Sequence, residues 1–306
     1  MEKKIFLAVI VSSVAGLTAC GGGGGSSTLS AFTNWGSVTP SSSVLVSGDS
    51  YQGTYSYNVA TSTVTGLTTG SHQAGASYTG TYDAGGSLTA ASINSAAGTN
   101  VSWSRSAGDT FGTLVIDSRV DAVVSANGQN YALAANPTRF GFEYQTFGTW
   151  VTGGGTGSGT YGFMSVGSQT SGSSVPTTGT ATYAGVTGGR YSDSNGADYF
   201  TSSAMSATAD FAARGLTFST SGTAVTRDLL ATSSAKNLNL SGSLTYSAGS
   251  ALFSGNVSTT GVGTGGSALA GTATGRFYGP TAQEIGGTFA VQSGNEFYGG
   301  AFGARR

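Results

Sequence analysis

The sequence is poor in thiols, imidazoles and charge. Among 306 residues it has one cysteine, Cys20, one histidine, His72, and four prolines. One cysteine excludes a disulfide framework, and one histidine excludes a multi-histidine zinc site and leaves few general bases. Charged residues make up 8% of the chain, against about 25% in typical soluble domains. Without a basic patch for phosphate backbones, we expect no nucleic-acid partner.

The N-terminus has the pattern of a bacterial lipoprotein precursor. Lys3 and Lys4 precede an apolar run over residues 5–17, which suits a signal peptide but is shorter than the roughly 20 residues that span a bilayer. The following LTAC is typical of a lipobox, so we predict a signal peptide over residues 1–19 and a palmitate-carrying lipid anchor on Cys20. An ordinary signal peptide with a buried cysteine is the alternative, which the adjoining glycines disfavour because they offer nothing to pack.

Five glycines after Cys20 predict a flexible Gly/Ser tether over residues 20–30. Position 21 is Gly rather than the Asp that signals inner-membrane retention. We therefore predict an outer-membrane protein that is held by lipid and displayed at the cell surface.

The remaining chain is rich in Gly, Ser, Thr and aromatic residues, and the aromatics, 10% of the sequence, fall in short alternating runs. Alternation predicts half-buried strands, and this aromatic content disfavours disorder. Hairpin-connected strands of this kind favour a closed antiparallel barrel, which has no exposed sheet edge. Outward positions are mostly Thr, Ser, Gly and Ala, which favours a soluble barrel.

The predicted fold class is therefore all-β, with an eight-stranded antiparallel soluble β-barrel over residues 138–306. A smaller β-rich domain over residues 31–137 precedes it, and Asn136-Pro137 marks the predicted boundary. Within the barrel, alternation predicts strands over residues 139–150, 159–167, 177–186, 202–213, 215–223, 237–247, 267–279, 286–292 and 296–305.

Motifs that could carry chemistry are weak here. GVGTGG (261–266) matches G-x-G-x-x-G, but a strand-like segment follows it instead of the helix that a dinucleotide site needs. We interpret it, and GGGTGSG (153–159), as strand-connecting loops. Glu284 and Glu296 could suggest a glycosidase pair, yet the sparse carboxylates do not define one. We predict no enzymatic activity and no metal site.

His72 lies in TTGSHQAGA, where a turn position is the favoured interpretation. A single histidine could still ligate haem. His72 is therefore a weak candidate ligand, and haem is a possible cofactor of an otherwise cofactor-free protein.

The C-terminal residues 275–306 carry a longer pattern: an aromatic pair and Gly-Pro, an Ala-x-Glu turn, Gly-Gly-x-Phe, and a closing Gly-x-Phe-Gly-Ala-basic. This pattern resembles the terminal signature of the transferrin-binding-protein-like surface lipoproteins, and VPTTGTATYAG (175–185) is similar to another strand of that family. The resemblance covers about residues 140–306. The signature positions are Phe277, Tyr278, Gly279, Pro280, Glu284, Gly286, Gly287, Phe289, Phe302 and Gly303.

The resemblance implies a handle-like β-domain followed by an eight-stranded barrel, in a non-enzymatic protein that binds a host or environmental macromolecule or a haem-like solute. It also implies an outer-membrane transporter as a partner. The shared motifs are expected to build the barrel, so they assign no binding residue. A structural envelope lipoprotein without a ligand, and a haem-binding protein that uses His72, remain alternatives.

Overall fold

The computed structural model describes residues 32–227 and 229–306, and in these ranges the chain forms two antiparallel sheets. The first sheet has ten strands in the order β5-β4-β3-β1-β10-β9-β8-β7-β6, with β2 paired to β1. Its strands are β1 (Ser43–Asn58), β2 (Thr63–Leu67), β3 (Ser71–Tyr82), β4 (Leu88–Asn94), β5 (Asn100–Ser104), β6 (Thr110–Thr113), β7 (Val120–Val124), β8 (Tyr131–Ala135), β9 (Gln145–Val151) and β10 (Ser158–Gly167).

The second sheet is the predicted barrel. Eight strands follow the order β12-β11-β19-β18-β17-β16-β15-β13, and pairing between β12 and β13 closes the cylinder. The strands are β11 (Thr180–Ser192), β12 (Asp198–Asp210), β13 (Gly215–Thr226), β15 (Leu240–Tyr246), β16 (Leu252–Thr259), β17 (Ala270–Tyr278), β18 (Glu284–Ser293) and β19 (Glu296–Arg305), with the short β14 (Ser233–Ser234) beside β13. The expectation of an all-β fold with an eight-stranded antiparallel barrel is confirmed.

Helical structure is limited to short segments in the described ranges. One helix, α1 (Pro137–Phe140), has Asn136 as its N-cap and Gly141 at φ 70° after its last residue. Four single turns of 3-10 helix complete the list: Trp35–Ser37, Arg105–Ala107, Gly172–Ser174 and Lys236–Leu238.

Alternating side chains fill the barrel. Along β12, Met205, Ala207 and Ala209 point into the interior, whereas Ser206 and Thr208 point outward and are exposed. This is the period of two that a strand imposes on its side chains. The interior also holds the rings of Tyr183, Phe218, Phe253, Phe277, Phe289 and Phe302. Small residues between these rings let the sheet curve tightly around them.

Two predicted barrel strands belong to the first sheet instead. Strand β10 pairs with β1 and β9, and β9 pairs with β8, so residues 145–167 lie outside the barrel. The change from the first sheet to the barrel therefore falls between Gly167 and Thr180, beyond the predicted boundary at Asn136-Pro137. The prediction was wrong because alternation identifies a strand and its faces but not the strand it pairs with.

The run FGFEY (140–144) was also predicted as a strand and is not one. Phe140 ends α1, and β9 begins only at Gln145. Asn136 accepts the Arg139 N–H with its side chain, and Pro137 occupies the first helical position. These are strong helix-start features, and they outweigh a short alternation.

The first sheet packs across the outer face of β17, β18 and β19. Phe297 projects from β19 into an aromatic cluster of the first sheet, stacked on Phe163 with ring centroids 6.5 Å apart and edge-on to Tyr161 at 5.3 Å. Tyr51 completes the cluster at 6.4 Å from Phe297. The buried aromatic contact joins the two sheets into one unit.

Candidate functional site

The predicted candidate His72 lies on strand β3, opposite Tyr51 of β1, and not in a turn. Its side chain is about one-fifth exposed and faces the barrel, where Nδ1 is 3.2 Å from Thr288 Oγ1. Its Nε2 is 3.4 Å from Asp49 Oδ2. The turn interpretation was wrong because Gly70 lies in the connection before β3, and Gly75, at φ 96°, forms a β-bulge within the strand opposite Gly48 and Asp49.

Asp49 is the centre of an ion pair between the first sheet and the barrel. Arg276 of β17 donates from Nε to Oδ2 at 2.6 Å and from Nη2 to Oδ1 at 3.2 Å. The Asp49 side chain is only 3% exposed. Burial alone would raise its pKa, but the contacts with His72 and Arg276 outweigh burial and hold the pKa below its usual value. The site is a docking contact between the sheets.

Glu284, a signature residue, makes a second docking contact. Its carboxylate accepts the backbone N–H of Glu143 at 2.5 Å and that of Tyr144 at 3.1 Å, just before β9 begins. The side chain is 3% exposed, and burial raises its pKa to about 7 despite these hydrogen bonds. Glu284 thereby fixes the start of β9 against the start of β18.

The signature glycines Gly286 and Gly303 face each other across β18 and β19 and form a floor for the first sheet. A Cβ on Gly303 would lie 2.3 Å from Gln145 Nε2 and 2.6 Å from Phe147 Cδ1. A Cβ on Gly286 would lie 2.5 Å from Ser165 Oγ and 2.7 Å from Gln145 Oε1. We call this pair the glycine floor. It has no side chains because Gln145, Phe147 and Ser165 of the first sheet occupy that space.

The other signature residues divide between the barrel interior and the same interface. Phe277, Phe289 and Phe302 point into the barrel, and a Cβ on Gly287 would lie 2.7 Å from Phe302 Cζ. Tyr278 points outward and hydrogen bonds with Ser165 at 2.9 Å. Gly279, at φ 84°, and Pro280 form the turn between β17 and β18. The expectation that the signature builds only the barrel was too narrow, because four of its ten residues also contact the first sheet.

Glu296 is unrelated to Glu284 in space. The two residues begin opposite ends of the β18–β19 hairpin, about 30 Å apart at the rise of a strand. Glu296 is buried and accepts Thr264 N–H at 2.7 Å, Gly265 N–H at 2.8 Å, Thr264 Oγ1 at 2.8 Å and Tyr191 O–H at 2.5 Å. The two carboxylates are therefore too far apart for the glycosidase pair considered from the sequence.

The GVGTGG segment binds that carboxylate. It lies in the connection between β16 and β17, as predicted, and a Cβ on Gly263 would lie 2.5 Å from both Glu296 oxygens. Burial acts to raise the pKa of Glu296, but the hydrogen bonds from Tyr191, Thr264 and Gly265 outweigh it and lower the pKa. The glycine-rich loop thus holds an anion, and the anion is the protein's own side chain.

Loops of both sheets meet at the end of the barrel where β11 ends and β12 begins. We name this surface the loop face and define it as residues 59–62, 153–157, 193–197 and 260–266. Backbone hydrogen bonds link Tyr57 to Gly157 and Val64 to Gly196, both at 2.7–2.8 Å, and Ser194 N–H donates to Thr264 Oγ1 at 3.0 Å. The loop face is therefore one continuous surface formed by both sheets.

The loop face presents apolar side chains and little charge. Val59 is 57% exposed and Val262 is 55% exposed. The face contains one acidic residue, Asp193, which is buried and whose Oδ1 accepts the Asn195 and Ala197 N–H groups. Depletion of charged residues is a feature of the cores of protein-binding surfaces, and the loop face shares it.

Three further observations bear on the predicted chemistry. Cys20, its signal peptide and the tether lie outside the described residues, so their predictions stay predictions. Within residues 32–227 and 229–306, no group of three or more His, Cys, Asp or Glu side chains could hold a metal ion. In the same part of the chain, no helix is both long and apolar enough to cross a membrane.

Residues 175–306 match a family model described as the C-lobe and N-lobe beta barrels of Tf-binding protein B. The resemblance to transferrin-binding-protein-like lipoproteins is thereby confirmed for the barrel, although the match begins at Val175 and not near residue 140. Among curated proteins, none is similar in sequence to this chain.

Solved structures of related proteins are similar at low sequence identity. A transferrin binding protein B variant from Haemophilus parasuis is 15% identical, with a TM-score of 0.44 over 76% of this chain and 54% of that one. The isotype 1 transferrin binding protein B from serogroup B Neisseria meningitidis is 17% identical, with a TM-score of 0.41 over 77% of this chain and 52% of that one. The N-lobe domain of lactoferrin binding protein B from Moraxella bovis is 13% identical, with a TM-score of 0.32 over 53% and 76%. The chain spans about half the length of the first two.

Proposed function

We propose that this protein is a non-enzymatic lipoprotein of the outer membrane, displayed at the cell surface through a lipid on Cys20, that binds a host or environmental protein at the loop face. The barrel match supports a binding role, because the matching family model is described as the barrels of Tf-binding protein B. The observation that carries the binding site is that loops of both sheets form one surface with little charge, on which Val59 and Val262 are exposed. An outer-membrane transporter that receives the cargo completes the proposal.

Binding is tested with the full chain and purified iron-carrying and haem-carrying proteins, transferrin and haemoglobin, as probes in biolayer interferometry. Val59→Asp with Val262→Asp places two charges on the loop face and should weaken binding at least tenfold. The matched control is Leu252→Asp, an exposed apolar residue, 37% exposed, at the other end of the barrel, which should bind as the original chain does. Equal loss in both variants would refute the loop face as the site.

If neither transferrin nor haemoglobin binds, the structural envelope lipoprotein becomes the better hypothesis for this chain. Surface display has its own test, protease treatment of intact cells, in which an untouched protein would contradict exposure. Lipidation is tested by intact mass and palmitate labelling of the original chain and Cys20→Ser, which should lose the label.

Haem binding through His72 is less well supported by the geometry. One ring nitrogen of His72 contacts Thr288 and the other lies beside Asp49. His72 would therefore have to lose one of these contacts to bind haem iron. Titration with haem tests it through the Soret band: a band that disappears in His72→Ala would establish the ligand.

A further inference from the structure

A cavity of about 350 Å³ lies between the first sheet and the barrel, on the flank away from the Asp49–Arg276 contact. One wall comes from the first sheet, with Leu133 of β8, Phe147 of β9 and the β6–β7 connection. The other wall comes from the outer faces of β11, β12 and β13. The volume lies at the lower end of the roughly 300–1,000 Å³ range of small-molecule sites, which form preferentially at domain interfaces.

The cavity exists because most of the residues that the barrel wall contributes are small. Gly188, Ser202, Ala204, Gly222 and Ala224 project from three neighbouring strands toward the first sheet. Elsewhere the two sheets are filled by interlocking aromatic rings, but here Phe200 of β12 is the one aromatic ring that the barrel contributes among the described lining residues. The small residues leave a space with an apolar wall opposite.

Leu229 closes one side of the cavity. It has φ 60°, an uncommon conformation for a residue with a branched side chain, and its N–H donates to Thr226 Oγ1 at 3.0 Å. This conformation turns the leucine inward, where it is 4% exposed and packs with Leu114 and Phe200. The loop thus adds another apolar surface to the lining.

The charges at the cavity are already paired. Arg119 donates to both oxygens of Asp117, at 3.0 and 2.8 Å, and its guanidinium lies 4.4 Å from the centre of the Phe140 ring. Among the described residues of the lining, Asp117 and Arg119 are the two charged ones, so a charged ligand would pair with one of them only by breaking that ion pair. Charge complementarity therefore favours an uncharged ligand.

We propose that this cavity is a binding site for an uncharged small molecule with an apolar body, of the size of a medium-length fatty alcohol. Its apolar part packs between Phe147 and Leu133 on one side and the small residues of β12 and β13 on the other. Its polar end lies near the neutral Asp117–Arg119 pair. None of these residues belongs to the loop face, so this site and the protein-binding surface are tested separately.

The test uses the full chain without its lipid and the neutral fluorescent probe N-phenylnaphthylamine. The probe should bind saturably, with one molecule per chain and a blue-shifted emission. Ala204 points outward from β12 and lines the cavity. Ala204→Phe should therefore fill the cavity and weaken binding at least tenfold. Ser206→Phe is the matched control, because Ser206 lies two residues further along the same face of β12, outside the lining, and should bind as the original chain does.

Competition identifies the head group: dodecanol should displace the probe at lower concentration than dodecanoate. If Ala204→Phe does not fold, as judged by circular dichroism, Ser202→Phe fills the same cavity from the neighbouring outward position. Absence of saturable binding, or equal binding by the cavity-filling and control variants, overturns the site. Stronger competition by dodecanoate overturns the preference for an uncharged ligand.

Discussion

At the scale of single residues, the buried carboxylates of Glu284 and Glu296 accept hydrogen bonds from backbone N–H groups of loop residues. Glu284 receives hydrogen bonds from two backbone N–H groups, and burial still raises its pKa to about 7. Glu296 receives four hydrogen bonds, two of them from hydroxyls, and they outweigh burial and lower its pKa. At Glu284 burial outweighs the hydrogen bonds, whereas at Glu296 the hydrogen bonds outweigh burial, so the two pKa values move in opposite directions.

Glu284 should make stability depend on pH. Its pKa rises from 4.5 to about 7 on folding, so the folded state binds the proton more tightly. The resulting stabilisation is present below pH 4.5 and is lost as the pH rises through about 7, by about 3 kcal/mol. Urea unfolding at pH 5 and pH 8 should show lower stability at pH 8, and Glu284→Gln should remove most of that difference.

The control for this experiment is Glu143→Gln, because the Glu143 side chain is exposed while its backbone N–H donates to Glu284. This variant should retain most of the pH dependence, because burial is the main cause of the raised Glu284 pKa and the charge of Glu143 is a smaller one. Glu284→Gln should also lose about 1–2 kcal/mol at pH 5, since its amide group cannot accept both N–H groups. An unchanged slope in Glu284→Gln would show that burial does not shift this carboxyl.

Removing the Glu296 carboxylate should release the glycine-rich loop. Glu296→Ala leaves the N–H groups of Thr264 and Gly265 and the Tyr191 hydroxyl without their acceptor, which should cost about 2–4 kcal/mol. In Glu296→Ala, amide hydrogen exchange should accelerate at residues 263–266. Glu296→Gln keeps one acceptor oxygen, so its exchange rates should lie between those of the original chain and those of Glu296→Ala. Unchanged protection of these amides in Glu296→Ala would mean that the loop holds its own conformation.

At the scale of elements, side-chain alternation predicted strands well and their partners poorly. The last three strands of the barrel were evident from the sequence, where alternation predicted them over residues 267–279, 286–292 and 296–305. Strand β16, LFSGNVST, was missed because polar residues and Gly255 interrupt its apolar positions. Strands β9 and β10 were assigned to the wrong sheet, since β1, the partner of β10, lies about 110 residues earlier in the chain.

The same limit applies to the site. His72 and the C-terminal pattern were singled out in the sequence, but the sequence did not show that they lie at the same interface. Asp49 carried no sequence signal, because a docking contact depends on which faces of two sheets meet. A polar residue at an inward-facing strand position, such as Gln145 ahead of Phe147, is the one feature that could have indicated a second packed surface.

The glycine floor predicts different outcomes for two glycines on paired strands. Gly303→Ala would force Gln145 and Phe147, both buried, to move, so we expect a loss of about 1–3 kcal/mol. Gly188→Ala is the matched control, since the nearest atom to its Cβ would be Phe147 Cε2 at 3.9 Å. Gly188→Ala should leave the urea midpoint nearly unchanged; similar losses in both variants would refute the floor.

At the scale of the whole molecule, the docking contacts between the two sheets determine how the loops of the loop face are positioned. Phe297 in its aromatic cluster, Glu284 on the start of β9 and the Asp49–Arg276 pair lie along one side of the barrel. They hold the loops of the first sheet beside those of the barrel. A partner that contacts both sets of loops then meets a preformed surface, and little ordering entropy is lost on binding.

The Asp49–Arg276 pair offers the sharpest test of that union, through a double-mutant cycle followed by urea unfolding. Arg276→Met leaves a buried carboxylate without its main partner and should cost about 3–5 kcal/mol. Adding Asp49→Asn removes the stranded charge, so the double variant should recover at least about 2 kcal/mol. Arg119→Met, which breaks the exposed Asp117–Arg119 pair, should cost less than about 1 kcal/mol. If the losses of the two single variants simply add, the pair does not hold the first sheet on the barrel, and the loop face is not rigidly preformed by it.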